Sequence, residues 1–249
     1  NVLSLAVAGD SGSAFILAGL RDLSNYGPTS SWQGNIHYSS NGGESWLQSY
    51  KPPSGMVTHV TAEILGHGCV NTIVMASDFT DSGIAYCSAG WDPRFGNPAH
   101  AEYQAAGQFG GIYVSTTQGT TWNGRGLIGN DISSILDVVP SPEYDTDSTL
   151  FMVALDPTIG IGLLWETMDG GSTWELILSM TLMIPLPGIN IDKIEIPATY
   201  PTEPSIFVTG ETAAASPADN ALIARTTDEG NLWASTLKAP YIGAVPQVI

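Results

Sequence analysis

The chain has 249 residues and carries a net charge of −17, with seven Lys plus Arg against 24 Asp plus Glu. That balance repels phosphate backbones and anionic bilayer surfaces, so nucleic acid and membrane insertion are excluded as expectations. Hydrophobic residues make up 43%, enough for one large core, and the 28 Gly and 16 Pro suit a chain of many short strands and turns.

Charged residues are only 12% of the sequence. Its surface must lean on Ser, Thr, Asn and Gly, which is expected of an extracellular or cell-surface protein. No run of 18 apolar residues occurs, so no membrane-spanning helix is expected. The chain starts at Asn1, without Met or a leader, and reads as a processed chain or as part of a longer one.

Taken in chain order, β-rich and alternating runs fall into four groups. The first comprises 2–8, 14–18, 35–39 and 45–50. The second comprises 56–65, 70–76, 111–115 and 121–124. The third comprises 132–139, 150–155, 163–167 and 173–178, and the fourth 189–196, 205–209, 221–226 and 232–237. Between the third and fourth runs of each group lies a copy of one short phrase. The copies are Ser39-Ser40-Asn41-Gly42-Gly43-Glu44-Ser45-Trp46, Ser115-Thr116-Thr117-Gln118-Gly119-Thr120-Thr121-Trp122, Thr167-Met168-Asp169-Gly170-Gly171-Ser172-Thr173-Trp174 and Thr226-Thr227-Asp228-Glu229-Gly230-Asn231-Leu232-Trp233.

The chemistry of the phrase is that of a hairpin. Asn41, Asp169 and Asp228 can accept bonds from backbone N–H groups just downstream and close an Asx-type turn. Gly43, Gly119, Gly171 and Gly230 supply angles that a Cβ penalises. Trp46, Trp122, Trp174 and Trp233 anchor the outgoing strand with a large apolar ring. The pattern Ser/Thr-x-Asp-x-Gly-x-Thr/Ser-Trp resembles the Asp-box, or bacterial neuraminidase repeat, strictly in the third copy. Asn41, Thr117 and Leu232 are departures in the others.

The resemblance implies an all-β, β-propeller domain over 1–249, with four four-stranded Asp-box blades near 1–50, 56–126, 131–178 and 187–238. It admits two closures, a four-bladed ring or part of a larger ring. Successive box tryptophans are 76, 52 and 59 residues apart. Propeller blades repeat at about 40–50 residues, so the first interval holds an insertion, placed at 79–110. A second phrase supports the layout. Segments 141–151 and 197–207 each carry a proline shortly before a tyrosine, then a trailing apolar pair. Such connections resemble those of sortilin-like and xyloglucanase-like Asp-box propellers.

In such a layout the boxes lie on one face, and the connections between second and third strands on the other. Function usually sits in loops held by a rigid scaffold, and loops above about 12–15 residues are often functional. Segment 21–34 carries Trp32, and 79–110 carries Trp91 and Tyr103. Asp78, Asp156 and Glu211 read as acids just after second strands. Together they would form an aromatic-bearing face with an acidic collar, suited to a glycan, a protein or Ca²⁺. Asp78 and Asp156 are the candidates for a carboxylate pair of the glycosidase kind.

Other chemistry is weaker. Four arginines and the lack of a Phe-Arg-Ile-Pro-like segment argue against the sialidase resemblance. His37, His59, His67 and His100 lack zinc spacing, so no metal centre or other cofactor is expected. Asp145-Thr146-Asp147 reads as an ordinary turn. Cys69 and Cys87 are the only cysteines. They can pair in an extracellular chain or remain two small buried thiols. The leading expectation is a non-catalytic extracellular structural or interaction module that can self-associate. The alternative is a glycan-binding or glycoside-hydrolysing propeller acting through loops 21–34 and 79–110.

Overall fold

The computed structural model describes residues 2–10, 12–20, 35–53, 69–90, 111–125, 134–155, 162–178, 189–212 and 221–237. They form sixteen strands and two single-turn helices. The first sheet comprises β1 (Val2–Ala8), β2 (Phe15–Leu20), β3 (Asn35–Ser39) and β4 (Leu47–Gln48). The second comprises β5 (Cys69–Met75), β6 (Ala85–Gly90), β7 (Gly111–Ser115) and β8 (Asn123–Gly124), with α1 (Phe79–Ser82) between its first two strands. The third comprises β9 (Ser134–Pro140), β10 (Leu150–Leu155), β11 (Gly162–Thr167) and β12 (Glu175–Leu178), with α2 (Tyr144–Asp147). The fourth comprises β13 (Ile189–Glu195), β14 (Ile206–Thr212), β15 (Ala221–Thr226) and β16 (Trp233–Leu237).

Each sheet is an antiparallel meander in chain order. The first strands β1, β5, β9 and β13 lie successively against one another, which puts them nearest a common axis. Each of these strands has a register shift at the same place, after Val2, Val70, Ile135 and Ile191. A shared bulge adds local twist, and its repetition marks four copies of one unit.

The core is divided into three layers, each joining consecutive blades. Leu17 and Ile36 of blade one pack with Ile73, Cys87 and Trp122 of blade two. Tyr86 and Ile112 of blade two pack with Val138, Leu150 and Met152 of blade three. Phe151, Val153 and Leu164 of blade three pack with Ile194, Ile206, Val208 and Ala224 of blade four. Among the described residues no such layer joins blade four to blade one.

Register gives the reason for this division. Counting back from the box hydroxyls Ser39, Ser115, Thr167 and Thr226, Leu5, Ile73, Val138 and Ile194 occupy one structural position. That position faces the preceding blade. Ile73, Val138 and Ile194 are buried there, whereas Leu5 is 58% exposed and its neighbour Val7 57%.

The second blade departs from expectation. Segment 70–76 belongs to its first strand instead of its second, and 85–90 supplies the second. The stretch 56–65, expected to be a strand, lies outside the described residues. The insertion at 79–110 is correspondingly shorter, since 79–90 builds α1 and β6. Of the two alternatives left open for Cys69 and Cys87, the bridge is not formed. Cys69 stands opposite Gly90, while Cys87 stands opposite Ile73, four residues further along β5. At roughly 3.3 Å per residue the offset exceeds the span of about 7 Å that a disulfide tolerates. Cys87 is a buried free thiol whose pKa burial pushes well upward.

Candidate functional site

All four boxes build the same turn. In the third, Asp169 Oδ1 accepts the N–H groups of Ser172 and Thr173, each at 2.8 Å, and the Thr167 hydroxyl at 2.8 Å. Its Oδ2 accepts the Thr173 hydroxyl at 2.7 Å. The Thr167 oxygen accepts Gly171 N–H, and Trp174 Nε1 donates to Gly171 O at 3.2 Å. The bond from the Thr173 N–H and those from the Thr173 and Thr167 hydroxyls hold the Asp169 carboxyl down at about 2.

Asn41 performs the same task without charge. Its Oδ1 accepts Ser39 Oγ and Ser45 N–H while its Nδ2 donates to Ser45 Oγ. Asp228 accepts Thr226 Oγ1 and Leu232 N–H, so only backbone is needed where Leu232 replaces the hydroxyl. Thr117 Oγ1 substitutes by accepting Thr121 N–H at 3.0 Å. The indoles of Trp46, Trp122 and Trp233 each donate to the carbonyls of Gly43, Gly119 and Gly230.

In blades two to four the outer surface of the box is a docking point for the preceding blade. Ser49 Oγ donates to Gly119 O, Tyr50 N–H donates to Thr120 O, and Lys51 forms an isolated bridge with Thr121. Tyr86 donates to Gly170 O at 3.1 Å and shares a short hydrogen bond with the Tyr144 hydroxyl. Arg125 Nε donates to Gly170 O at 2.9 Å. Burial, reinforced by Tyr144, raises the Tyr86 hydroxyl above its ordinary range. Sequence reasoning gave neither Tyr86 nor Arg125 a role between blades, and neither stands in a repeated phrase.

Blades three and four are locked by two further acids. Asp137 on β9 accepts Lys193 Nζ at 3.2 Å and Ile194 N–H at 3.3 Å. Burial raises its carboxyl, and these partners pull it partly back. Glu166 on β11 accepts the Tyr200 hydroxyl at 3.4 Å. Burial, then the negative charge of Glu229, lifts it to about 7.

The sequence-nominated face is only partly described. Trp32, Trp91, Tyr103 and Asp156 lie outside the described residues. Glu211 lies within β14, with its backbone opposite Asn190 and Ala221. Asp78 is displaced from the expected collar. It starts α1 between the first and second strands, accepts Ser82 Oγ at 2.9 Å, and so lies on the box side. That side is fixed by Gln118 N–H of the box turn donating to Gly83 O. The sequence carried a signal for this. Asp78-Phe79 stands six residues before Ala85 as Glu143-Tyr144 stands before Leu150, with Phe79 and Tyr144 both buried. Among the described residues no group of three His, Cys, Asp or Glu can hold a metal ion, and no helix is long and apolar enough to cross a membrane.

No family model and no curated protein matches the chain. Solved structures do. The GH74 xyloglucanase from Xanthomonas campestris is 17% identical with a TM-score of 0.56, over 92% of this chain and 29% of its own. A Niastella koreensis GH74 enzyme is 18% identical with a TM-score of 0.56, over 93% of this chain and 29% of its own. The chain thus spans under a third of the length of these neighbours. With four radial four-stranded meanders, the likeness defines the fold as blades of a β-propeller.

Proposed function

We propose that the chain is a non-catalytic interaction module of Asp-box type, acting outside the cell or at its surface, with its blades as a rigid scaffold for protein contacts. The observation that carries this reading is the uncovered face of blade one. Leu5, Val7 and the 42%-exposed Trp46 occupy positions whose counterparts are packed against a preceding blade, Trp122 being 1% exposed. An apolar face built for packing and left open is a mark of an association surface. The low charge content and the polar boxes fit a surface-exposed setting.

A second reading is favoured by the fold likeness to the two GH74 enzymes. It has the chain bind or cleave a glycan, with Ca²⁺ as a helper, on the face carrying loops 21–34 and 91–110. Trp32, Trp91, Tyr103, Asp156 and Glu211 would then line the site. Incubation with xyloglucan and measurement of new reducing ends separates the two readings. The module reading expects no release. Release that Asp156→Asn abolishes would overturn it in favour of the enzyme.

A further inference from the structure

We infer that the open face of blade one is closed by blade four of a second copy of this chain, so that two head-to-tail copies complete an eight-bladed ring. The inference rests on the interaction-module reading and names its partner. Both halves of the repeated inter-blade contact are present, and among the described residues neither is packed against another blade. The receiving half is Leu5, Val7 and Trp46, at the positions of Ile73, Met75 and Trp122.

The giving half is on blade four. Three residues before each box hydroxyl stand Ile36, Ile112 and Leu164, each buried against the following blade, and Ile223, which is 44% exposed. Phe207 stands where Leu17, Tyr86 and Phe151 stand. Leu17 lies against Gly119 of the next box, and Tyr86 reaches Gly170 of the next. A following blade is therefore expected over Phe207 and Ile223, and a preceding one over Leu5 and Val7.

Charge supports this pairing. On blade three, Glu166 reaches Tyr200 in the connection between the first two strands of blade four. Arg225 holds the Glu166 position on blade four, stacked 5.4 Å over the Phe207 ring. The matching connection of blade one bears the exposed Asp10. A head-to-tail contact brings Arg225 to Asp10 while covering apolar surface on both sides. Two such contacts close a ring of eight blades, within the range propellers adopt, whereas contacts that do not close would give filaments.

The test is light scattering on the full chain during size exclusion across a dilution series. The expected mass is twice 26.2 kDa. Leu5→Asp and Ile223→Asp each place a charge in the contact and are expected to weaken the dimer by at least about thirtyfold. Both sites are exposed, so strand circular dichroism should be unchanged. Arg225→Asp is expected to weaken the dimer, and Asp10→Arg added to it to restore part of the loss. A monomer at every concentration overturns the inference, as does a dimer that both Asp variants leave intact, or a polymer that grows with concentration. A monomer that captures a different protein through the Leu5 face overturns the second copy but leaves the module reading standing. Xyloglucan cleavage by an intact dimer does the reverse.

Discussion

Replacing Gly119 by Ala tests the docking of one blade on the next box. The backbone at Gly119 has φ +84°, and at Gly43 +93°, so both positions charge any L side chain a similar conformational cost, about 1–2 kcal/mol. Their surroundings differ. A Cβ on Gly119 would run into Leu17 Cδ2 of blade one, whereas on Gly43 its nearest neighbour is Ile16 Cδ1 of its own blade at 3.4 Å. Leu17 is fully buried and cannot yield freely, so overpacking adds about 1–3 kcal/mol. Gly119→Ala should therefore cost about 2–5 kcal/mol and Gly43→Ala about 1–2 kcal/mol. Urea unfolding with unchanged slope measures both. Shortening the opposing side chain provides the control. Gly119→Ala with Leu17→Ala should cost less than the sum of the single variants, because the new methyl fills part of the space vacated. Equal costs at Gly119 and Gly43, or strict additivity with Leu17→Ala, would refute the proposed blade-to-box contact.

Four further outcomes follow from the polar contacts. Glu166, ordinarily ionised near 4.5, is lifted to about 7 in the fold. Between those values the folded chain holds the extra proton, so stability falls as pH rises from 4.5 to 7 and then levels. Glu166→Gln should flatten that slope and stabilise the chain at pH 8 by roughly 2 kcal/mol in denaturant titrations, after allowance for solvent screening. Asp169 has the opposite sign. Its depressed carboxyl contributes stability above pH 3.8 that is lost as pH falls toward 2. Asp169→Asn, which reproduces blade one, should unfold closer to the parent than Asp169→Ala. Tyr86→Phe removes the donor to Gly170 O and should cost about 1–2 kcal/mol. Cys87 should resist thiol reagents until the chain unfolds, and reduction should leave the melting temperature unchanged.

The periodic phrase made the fold legible. A turn whose bonds are all local, such as Thr167 to Asp169 and Trp174 to Gly171, leaves a contiguous mark in sequence. Strands β10 and β15 coincide with the runs read from alternation for the same reason. The second blade was misread because the connections around Tyr144 and Tyr200 advertise themselves with proline, whereas the equivalent one around Phe79 does not. That one slip moved Asp78 to the wrong face and supported the collar. The cysteines were close in sequence, but their separation is set by register, which composition does not encode. The locks between blades were invisible for a related reason. Tyr86, Arg125, Asp137 and Glu166 meet partners 34 to 84 residues away only once the blades have stacked, and a single sequence gives no sign of such pairings.

An experimental density map of the chain tests the central claim most directly. The account predicts four antiparallel meanders turned about one axis, with β1, β5, β9 and β13 innermost and each box glycine of blades two to four covered by the blade before it. Two stacked sheets, or box tryptophans without rotational order, would contradict it.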